Sequence, residues 1–179
     1  MQSLYLRDDL EAAVCTGLPG APVGDDDVFT AMSRLEGEVY RRAAGRSTSR
    51  VVIAGKAYFA KHHEGVGWPE IAKNLLSGKQ PVLGARNEFE ASRRLRAAGV
   101  PVPDVAAFGE RGLNPARRRS FAFCDALDGY CSLEDIGHGW LATPPDINLK
   151  RALLAALGRL TAAIHARGVC HRDYYACHV

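Results

Sequence analysis

A chain of 179 residues with 47% hydrophobic and 24% charged residues has the composition of an ordinary globular protein, which excludes a wholly disordered chain. Its 23 Lys and Arg stand against 20 Asp and Glu, and this excess is too small to indicate a nucleic-acid binder. No apolar run approaches the roughly 20 residues that cross a bilayer, and Arg7, Asp8 and Asp9 stand where a signal peptide would be apolar. We therefore predict a cytoplasmic protein.

The cysteines indicate a reducing compartment as well. Five of them are scattered along the chain without any C-x-x-C pair. An odd, scattered set disfavours both a disulfide framework and a structural zinc site. We expect reduced thiols, most of them buried.

Residues 1–34 show no sustained periodicity. A loop rich in Gly and Pro at 17–22 and three consecutive acidic residues at 25–27 interrupt the segment, so we predict a poorly packed leader. Beyond it come three short runs rich in β-branched and aromatic residues, separated by turns at Gly45 and Gly55. Such runs predict an antiparallel meander.

Helical patterns and two further strands follow the meander. Apolar spacing predicts a short helix at 68–76 and a longer one at about 85–98, which Gly99 ends. The next predicted elements are strands at 105–108 and 120–124 and a helix at about 147–167. The order of three strands, helix, two strands and helix is that of a kinase small lobe joined to the start of a large lobe, an α+β fold.

The last predicted helix carries an apolar stripe. Its members recur every three or four residues and predict one buried face. They are Leu149, Leu153, Leu157, Leu160 and Ile164. Gly168 then supplies a C-terminal cap, and a short loop rich in reactive side chains follows.

That loop contains His171-Arg172-Asp173, which reproduces the H-R-D catalytic loop of kinases in the context the motif requires, after a long helix. Phosphoryl transfer to a hydroxyl needs a carboxylate that orients the nucleophile and accepts its proton, and Asp173 is the candidate. Arg172 and His171 are expected to support the loop. Because a tripeptide also arises by chance, an exposed turn is the alternative interpretation.

A lysine and a glutamate form the second signal. Alternation places Lys61 on the strand face opposite Tyr58 and Ala60, from which it can project toward nucleotide phosphates. On the helix at 85–98, Glu88 shares a face with apolar residues and needs a cationic partner. Lys61 supplies that partner, as the strand lysine does in kinases. Taken alone, Lys61 is more simply interpreted as a solvent-exposed charge at the edge of a sheet.

Two positions depart from the general kinase pattern. The turn between the first two strands has the single glycine Gly45 where protein kinases have a glycine-rich loop, so phosphate contact there rests on backbone N–H groups and on Arg46 or Ser47. His178 stands five residues after Asp173, where protein kinases place a metal-binding Asn, and imidazole is a poor ligand for Mg²⁺.

Two surface features bear on partners. The apolar stripe of the short helix fits lipid contact as well as packing onto the small lobe; its members are Trp68, Ile71, Ala72 and Leu75. Basic side chains at 93–96 and 111–119 could attract an anionic glycolipid, although a solvated face explains them more simply.

Together these stretches make the chain similar to the bacterial lipopolysaccharide core heptose(I) kinase family over roughly residues 35–179. The resemblance is carried by residues 55–62, 71–76, 81–85, 108–115, 171–173 and 177–178. It implies a protein-kinase-like fold with a leader (1–34), an antiparallel-sheet small lobe (35–128) and the beginning of a helical large lobe (129–179).

The resemblance also implies a function. It implies an enzyme that uses ATP and Mg²⁺ to phosphorylate a heptose hydroxyl of the lipopolysaccharide inner core, at the cytoplasmic face of the inner membrane. Asp173 would be the catalytic base, and Lys61 and Glu88 would hold the nucleotide phosphates. An acyl carrier protein-type partner and peripheral membrane association are further expectations.

Other interpretations stay open. Another kinase-like phosphotransferase for small molecules would use the same three residues, and a non-catalytic kinase-fold remnant would act as a binding module. Because the metal-binding carboxylate of kinases follows the catalytic loop, we expect the 179-residue chain to be a fragment without that ligand and without activity of its own.

Overall fold

The computed structural model describes residues 2–15, 27–35, 37–43, 45–171 and 174–179. It contains two compact units. The sheet unit comprises residues 1–93 and 103–126, and the helical unit comprises residues 94–102 and 127–179.

The sheet unit is built on one antiparallel sheet whose strand order is β1-β5-β6-β4-β3-β2. The described strands are β1 Gln2–Leu6, β2 Glu38–Ala43, β3 Arg46–Ile53, β4 Lys56–His63, β5 Val105–Arg111 and β6 Arg119–Asp125. Strands β2 to β4 are the predicted meander, and β5 and β6 confirm the two later strand predictions. The tight turn between β3 and β4 uses Ala54 and Gly55, both at positive φ, which glycine adopts without steric cost.

Among the described residues, four helices accompany the sheet. They are α1 Asp8–Cys15, α2 Val28–Arg34, α3 Gly67–Leu76 and α4 Arg86–Ala97. Helices α3 and α4 match the two predicted in this part of the chain. Asp27 caps α2 by accepting a hydrogen bond from the Thr30 backbone N–H at 2.9 Å.

The expectation of a poorly packed leader is wrong for its described residues, 2–15 and 27–34, whereas the loop predicted at 17–22 lies outside the described residues. Strand β1 pairs with β5 from Gln2 against Arg111 to Leu6 against Ala107. Leu10, Phe29 and Met32 of α1 and α2 are fully buried against one face of the sheet. Burial of a side chain such as Phe29 stabilises the fold by about 1.5–3 kcal/mol.

The opposite face of the sheet packs against α4. Phe89 of α4 stacks on Phe108 of β5 with ring centroids 4.4 Å apart and an interplanar angle of 7°. Ala85, Val105 and Ala122 complete this smaller core. The sheet is therefore covered on both faces, by the N-terminal helices on one side and by α4 on part of the other.

The helical unit contains α5 Leu133–Gly137, α6 Ile147–His165 and a short 3-10 turn Ala176–His178. Asp146 caps α6 through the backbone N–H groups of Asn148 and Leu149. The predicted buried stripe of α6 is buried only at Ile164, which packs with Leu95 and Val100. Toward the start of α6 the stripe is half-buried or exposed.

Two findings concern expectations drawn from composition. Four of the five thiols are exposed, and Cys124 is the exception, so the expectation of mostly buried cysteines is wrong. No helix in the described part of the chain combines the length and the apolar character that a membrane crossing requires.

Candidate functional site

The predicted ion pair between Lys61 and Glu88 is confirmed. Lys61 lies on β4 and donates from Nζ to a carboxylate oxygen of Glu88 in the first turn of α4. Both side chains are partly exposed, at 38% and 36%. The expectation of a buried carboxylate was thus too strong, and the pair sits on an accessible surface.

Strand alternation puts Lys61 on that surface. Its neighbours Tyr58 and Ala60 point into the core beneath α1 and α2, so Lys61 points away from it. Register pairs Arg41 with Thr48 and Thr48 with Lys61, and directly paired residues project from the same face. A cation and a hydroxyl therefore accompany Lys61.

The turn between β2 and β3 divides the predicted phosphate-loop residues between the two faces. Arg46 pairs with His63, two residues beyond Lys61, and shares its face. Ser47 pairs with His62 on the other face. There Ser47 lines a groove of about 290 Å³ with Val39, Arg42, Ser49 and His62. The structure thus brings Arg46 to the Lys61 face and turns Ser47 away from it.

Gly45 at the tip of this turn is held in place. Its φ is +68°, and a Cβ there would come within 2.6 Å of the Gly65 carbonyl oxygen. The Gly45 carbonyl accepts a hydrogen bond from the Glu64 backbone N–H at 2.9 Å. At Gly65, likewise, a Cβ would come within 2.6 Å of the Ala116 carbonyl oxygen. The tip is therefore anchored to the body of the sheet unit, and any side chain at either glycine would disturb the anchor.

An apolar area adjoins these cations. Phe59 meets Tyr40 edge-on, with ring centroids 5.2 Å apart and an interplanar angle of 78°. Val52 pairs with Ala57 on the same face, and both Tyr40 and Val52 are largely exposed. The face thus combines an open apolar patch with Arg41, Arg46 and Lys61, a combination suited to a nucleotide with an aromatic base and an anionic tail.

Two titratable groups on this face are neutral at physiological pH. Burial raises the pKa of the Cys124 thiol to about 12, and the Glu88 charge adds to the effect. Burial lowers the pKa of His63, with further lowering from Arg46. The His63 Nδ1 atom is buried without a hydrogen-bond partner among the described residues. Neither group adds charge to the face.

We expect the two adjacent histidines to make the protein less stable in mild acid. Burial lowers the pKa of His62, whose ring nitrogen lies 3.1 Å from the Met32 carbonyl oxygen, and that of His63. As pH falls through 6.5, the ordinary pKa of histidine, these side chains bind protons in the unfolded chain but stay neutral in the folded chain. The free energy of unfolding therefore falls as pH falls. The charge of Glu64 partly offsets the lowering of the His62 pKa. Near His63, the charges of Arg46 and Lys61 lower its pKa further, and that of Glu88 raises it.

Urea unfolding at pH 7.5 and pH 5.5 measures the effect. The pKa values of Asp9 and Asp125 are lowered from 3.8, so these carboxylates lose their contribution only at more acidic pH. Replacing both histidines by Gln is expected to reduce the difference in stability between the two pH values. An unchanged difference in the double variant would contradict the assignment.

The predicted catalytic loop lies in the helical unit. Arg172 and Asp173 fall outside the described residues, as does the side chain of His178. His171 is exposed, and its ring centroid lies 6.1 Å from that of Tyr174. The Tyr174 hydroxyl lies 3.1 Å from the Thr161 hydroxyl on α6. Tyr174, the residue after Asp173 in the sequence, is thus connected to the long helix.

The sequence interpretation missed the companions of Lys61. Tyr40, Arg41 and Thr48 were not among the predicted site residues, although they share its face. The lengths of two turns identify Arg41 and Thr48, because pairing of Ala43 with Arg46 places Arg41 opposite Thr48 and pairing of Ile53 with Lys56 places Thr48 opposite Lys61. Turn length does not identify Tyr40, which lies at a register shift between Val39 and Arg41.

Comparison with known proteins agrees with this geometry. Residues 30–179 match the model of the lipopolysaccharide kinase (Kdo/WaaP) family. The chain is 49% identical over 152 residues to the lipopolysaccharide core heptose(I) kinase WaaP of Pseudomonas aeruginosa and 44% identical over 152 residues to that of Escherichia coli K12. Each alignment covers 85% of this chain and 57% of the relative, so the chain spans little more than half the length of these proteins.

A solved structure is similar as well. WaaP in complex with acyl carrier protein superposes with a TM-score of 0.77 at 36% sequence identity. The superposition covers 98% of this chain and 62% of that chain. The likeness extends to the kinase-like α+β architecture of both units.

Proposed function

Because the chain belongs to the lipopolysaccharide kinase (Kdo/WaaP) family, we propose that its function is ATP-dependent phosphorylation of a heptose hydroxyl in the lipopolysaccharide inner core. The observation that carries the proposal is the Lys61–Glu88 pair on the open face of the sheet. The curated relatives are heptose(I) kinases by name. In this proposal residues 35–128 are the small lobe and residues 129–179 begin the large lobe.

The nucleotide lies against the Lys61 face. ATP, when bound, supplies the phosphoryl group. The apolar patch around Tyr40 and Phe59 receives the base, and Lys61, Arg46 and Arg41 receive the phosphates. Glu88 keeps the Lys61 ammonium in one orientation, which reduces the entropy lost when the phosphates bind. Charge-assisted contacts of this kind are about twice as strong as neutral hydrogen bonds.

The acceptor hydroxyl meets the catalytic loop. Asp173 orients the hydroxyl and accepts its proton as the phosphoryl group is transferred. His171 and Arg172 maintain the loop conformation. Tyr174, attached to α6 through Thr161, supports the loop from its C-terminal side.

Magnesium is implied by the family. The described residues bring together no group of three or more His, Cys, Asp or Glu side chains that could hold a metal ion. The carboxylate of Glu88 is engaged by Lys61.

Two partners follow from the proposal. Helix α3 exposes Trp68, Leu75 and Leu76 at 58%, 61% and 90%, and an amphipathic helix with an exposed Trp supports peripheral contact with a bilayer that holds the acceptor, at the cytoplasmic face of the inner membrane. Because a similar structure contains acyl carrier protein, an acyl carrier protein is proposed as a second partner.

The test uses a chimera in which this chain is followed by the remaining segment of the Pseudomonas aeruginosa relative. Purified chimera is incubated with ATP, Mg²⁺ and lipopolysaccharide that contains unphosphorylated heptose, and mass spectrometry follows the phosphate. Phosphate is expected on the heptose only with ATP present, and acceptor without heptose serves as control. Transfer to another class of acceptor, with none to heptose, would contradict the proposed substrate.

A further inference from the structure

We propose that Glu110 is a positioning residue that fixes α4 on the sheet and thereby holds Glu88 against Lys61. Glu110 lies on β5, on the face of the sheet that α4 covers, and strand β6 separates it from the strand of Lys61. Its side chain is only 11% exposed. The proposal rests on the proposed function, which gives the Lys61–Glu88 pair its role.

The contacts of Glu110 converge on the first residue of α4. Arg86 donates from Nη2 to Glu110 Oε1 at 3.0 Å and from Nε to the same oxygen at 3.3 Å. Arg118 adds a second cation 3.7 Å from that oxygen. A buried carboxylate needs such compensation, and the removal of its charge leaves two arginines facing one another.

Arg86 is attached to the sheet at further points. Its Nη2 donates to the Ser3 hydroxyl at 3.1 Å, and its guanidinium lies 5.4 Å from the centroid of the Phe108 ring. Phe108 also stacks on Phe89, three residues farther along α4. The guanidinium and one face of α4 are thus fixed by β1 and β5 together.

The residue before the helix is fixed independently. The Ala85 backbone N–H donates to the buried Ser120 hydroxyl at 3.0 Å. Glu88 follows Arg86 by two residues, so rotation or sliding of the first turn moves its carboxylate relative to Lys61. Ser120 restrains the start of the helix along its axis, whereas Glu110 restrains its rotation through the Arg86 side chain.

Chemical modification of lysines tests the proposal without a kinase assay. Each lysine of the purified chain is amidinated under limiting conditions, and mass spectrometry measures its rate. Lys61, hydrogen-bonded to Glu88, is expected to react slowly. Glu110→Gln is expected to raise the Lys61 rate roughly two- to fivefold, the factor that an ion pair between partly exposed side chains is worth. The amidination rate of Lys61 in Glu88→Gln, which lacks the partner carboxylate, gives the upper limit of the increase. Lys79 is expected to react at the same rate in every variant.

Ile53→Val is the matched control, because Ile53 lies in the core on the opposite face of the sheet. If Glu110→Gln unfolds the chain, Arg86→Gln at a less buried position tests the same link. An unchanged Lys61 rate in the folded variant, or an equal rise in Ile53→Val, would overturn the proposal. A chimera that fails to phosphorylate heptose while Lys61 still responds to Glu110 would overturn the proposed function and leave the positioning contact standing.

Discussion

Asp173→Ala is expected to lower kcat of the chimeric kinase by about 10²–10⁴-fold, the range that positioned general bases contribute. The loss arises because the acceptor hydroxyl is no longer oriented and its proton has no acceptor. Affinity for the acceptor is expected to stay close to that of the parent, since substrate binding uses other groups. Steady-state kinetics with lipopolysaccharide acceptor measure both quantities.

Glu134→Ala is a suitable control, because Glu134 is an exposed carboxylate on α5 of the same unit. It is expected to leave kcat within about twofold of the parent, as most surface substitutions do. Asp173→Asn, which keeps the shape of the side chain, is expected to lose as much as Asp173→Ala. Substantial turnover in both Asp173 variants with unchanged acceptor binding would rule out Asp173 as the base.

Lys61→Met is expected to reduce kcat/KM for ATP by about 100-fold or more, since one preorganised donor to a transition-state oxyanion is typically worth that much. Methionine keeps the length of the side chain and removes its charge. Glu88→Gln is expected to have a smaller effect in the same direction. The double variant is expected to fall short of the sum of the two, because both changes break one pair.

Lys56→Met supplies the matched control. Lys56 begins the same strand and pairs with Asp9 and Asp125 instead. The same substitution there is expected to cost at most about 1 kcal/mol of stability and to leave kcat/KM near the parent value. Equal losses of activity in the two methionine variants would mean that Lys61 acts through general stability and not through the nucleotide.

The Lys61–Glu88 pair could be predicted because it depends on local periodicity. Strand alternation fixes the face of Lys61, and helical spacing fixes that of Glu88. Both periods are properties of backbone geometry that survive most tertiary contexts. The degree of burial was harder to predict, because it depends on how many other side chains cover the pair.

Pairings between distant segments could not be read in the same way. Strand β1 is short and half polar, and its partner β5 lies near the other end of the sheet unit in sequence. Likewise, Ser47 and Thr48 are both small hydroxyl residues in the same run. The length of the turn between β3 and β4 decides which of them lies opposite Lys61, and a change of one residue in that turn shifts the pairing.

The pairing of β1 with β5 has a consequence for synthesis. Gln2 pairs with Arg111, which follows it by 109 residues, so its partner strand leaves the ribosome only after most of the sheet unit has been translated. At a synthesis rate of about 5–20 residues per second, the apolar side chains of α1 and α2, which include Leu10 and Phe29, stay exposed for several seconds before β5 is made. The meander β2 to β4 is available earlier and offers its inner face to them, and β1 is left as the element that closes the sheet last.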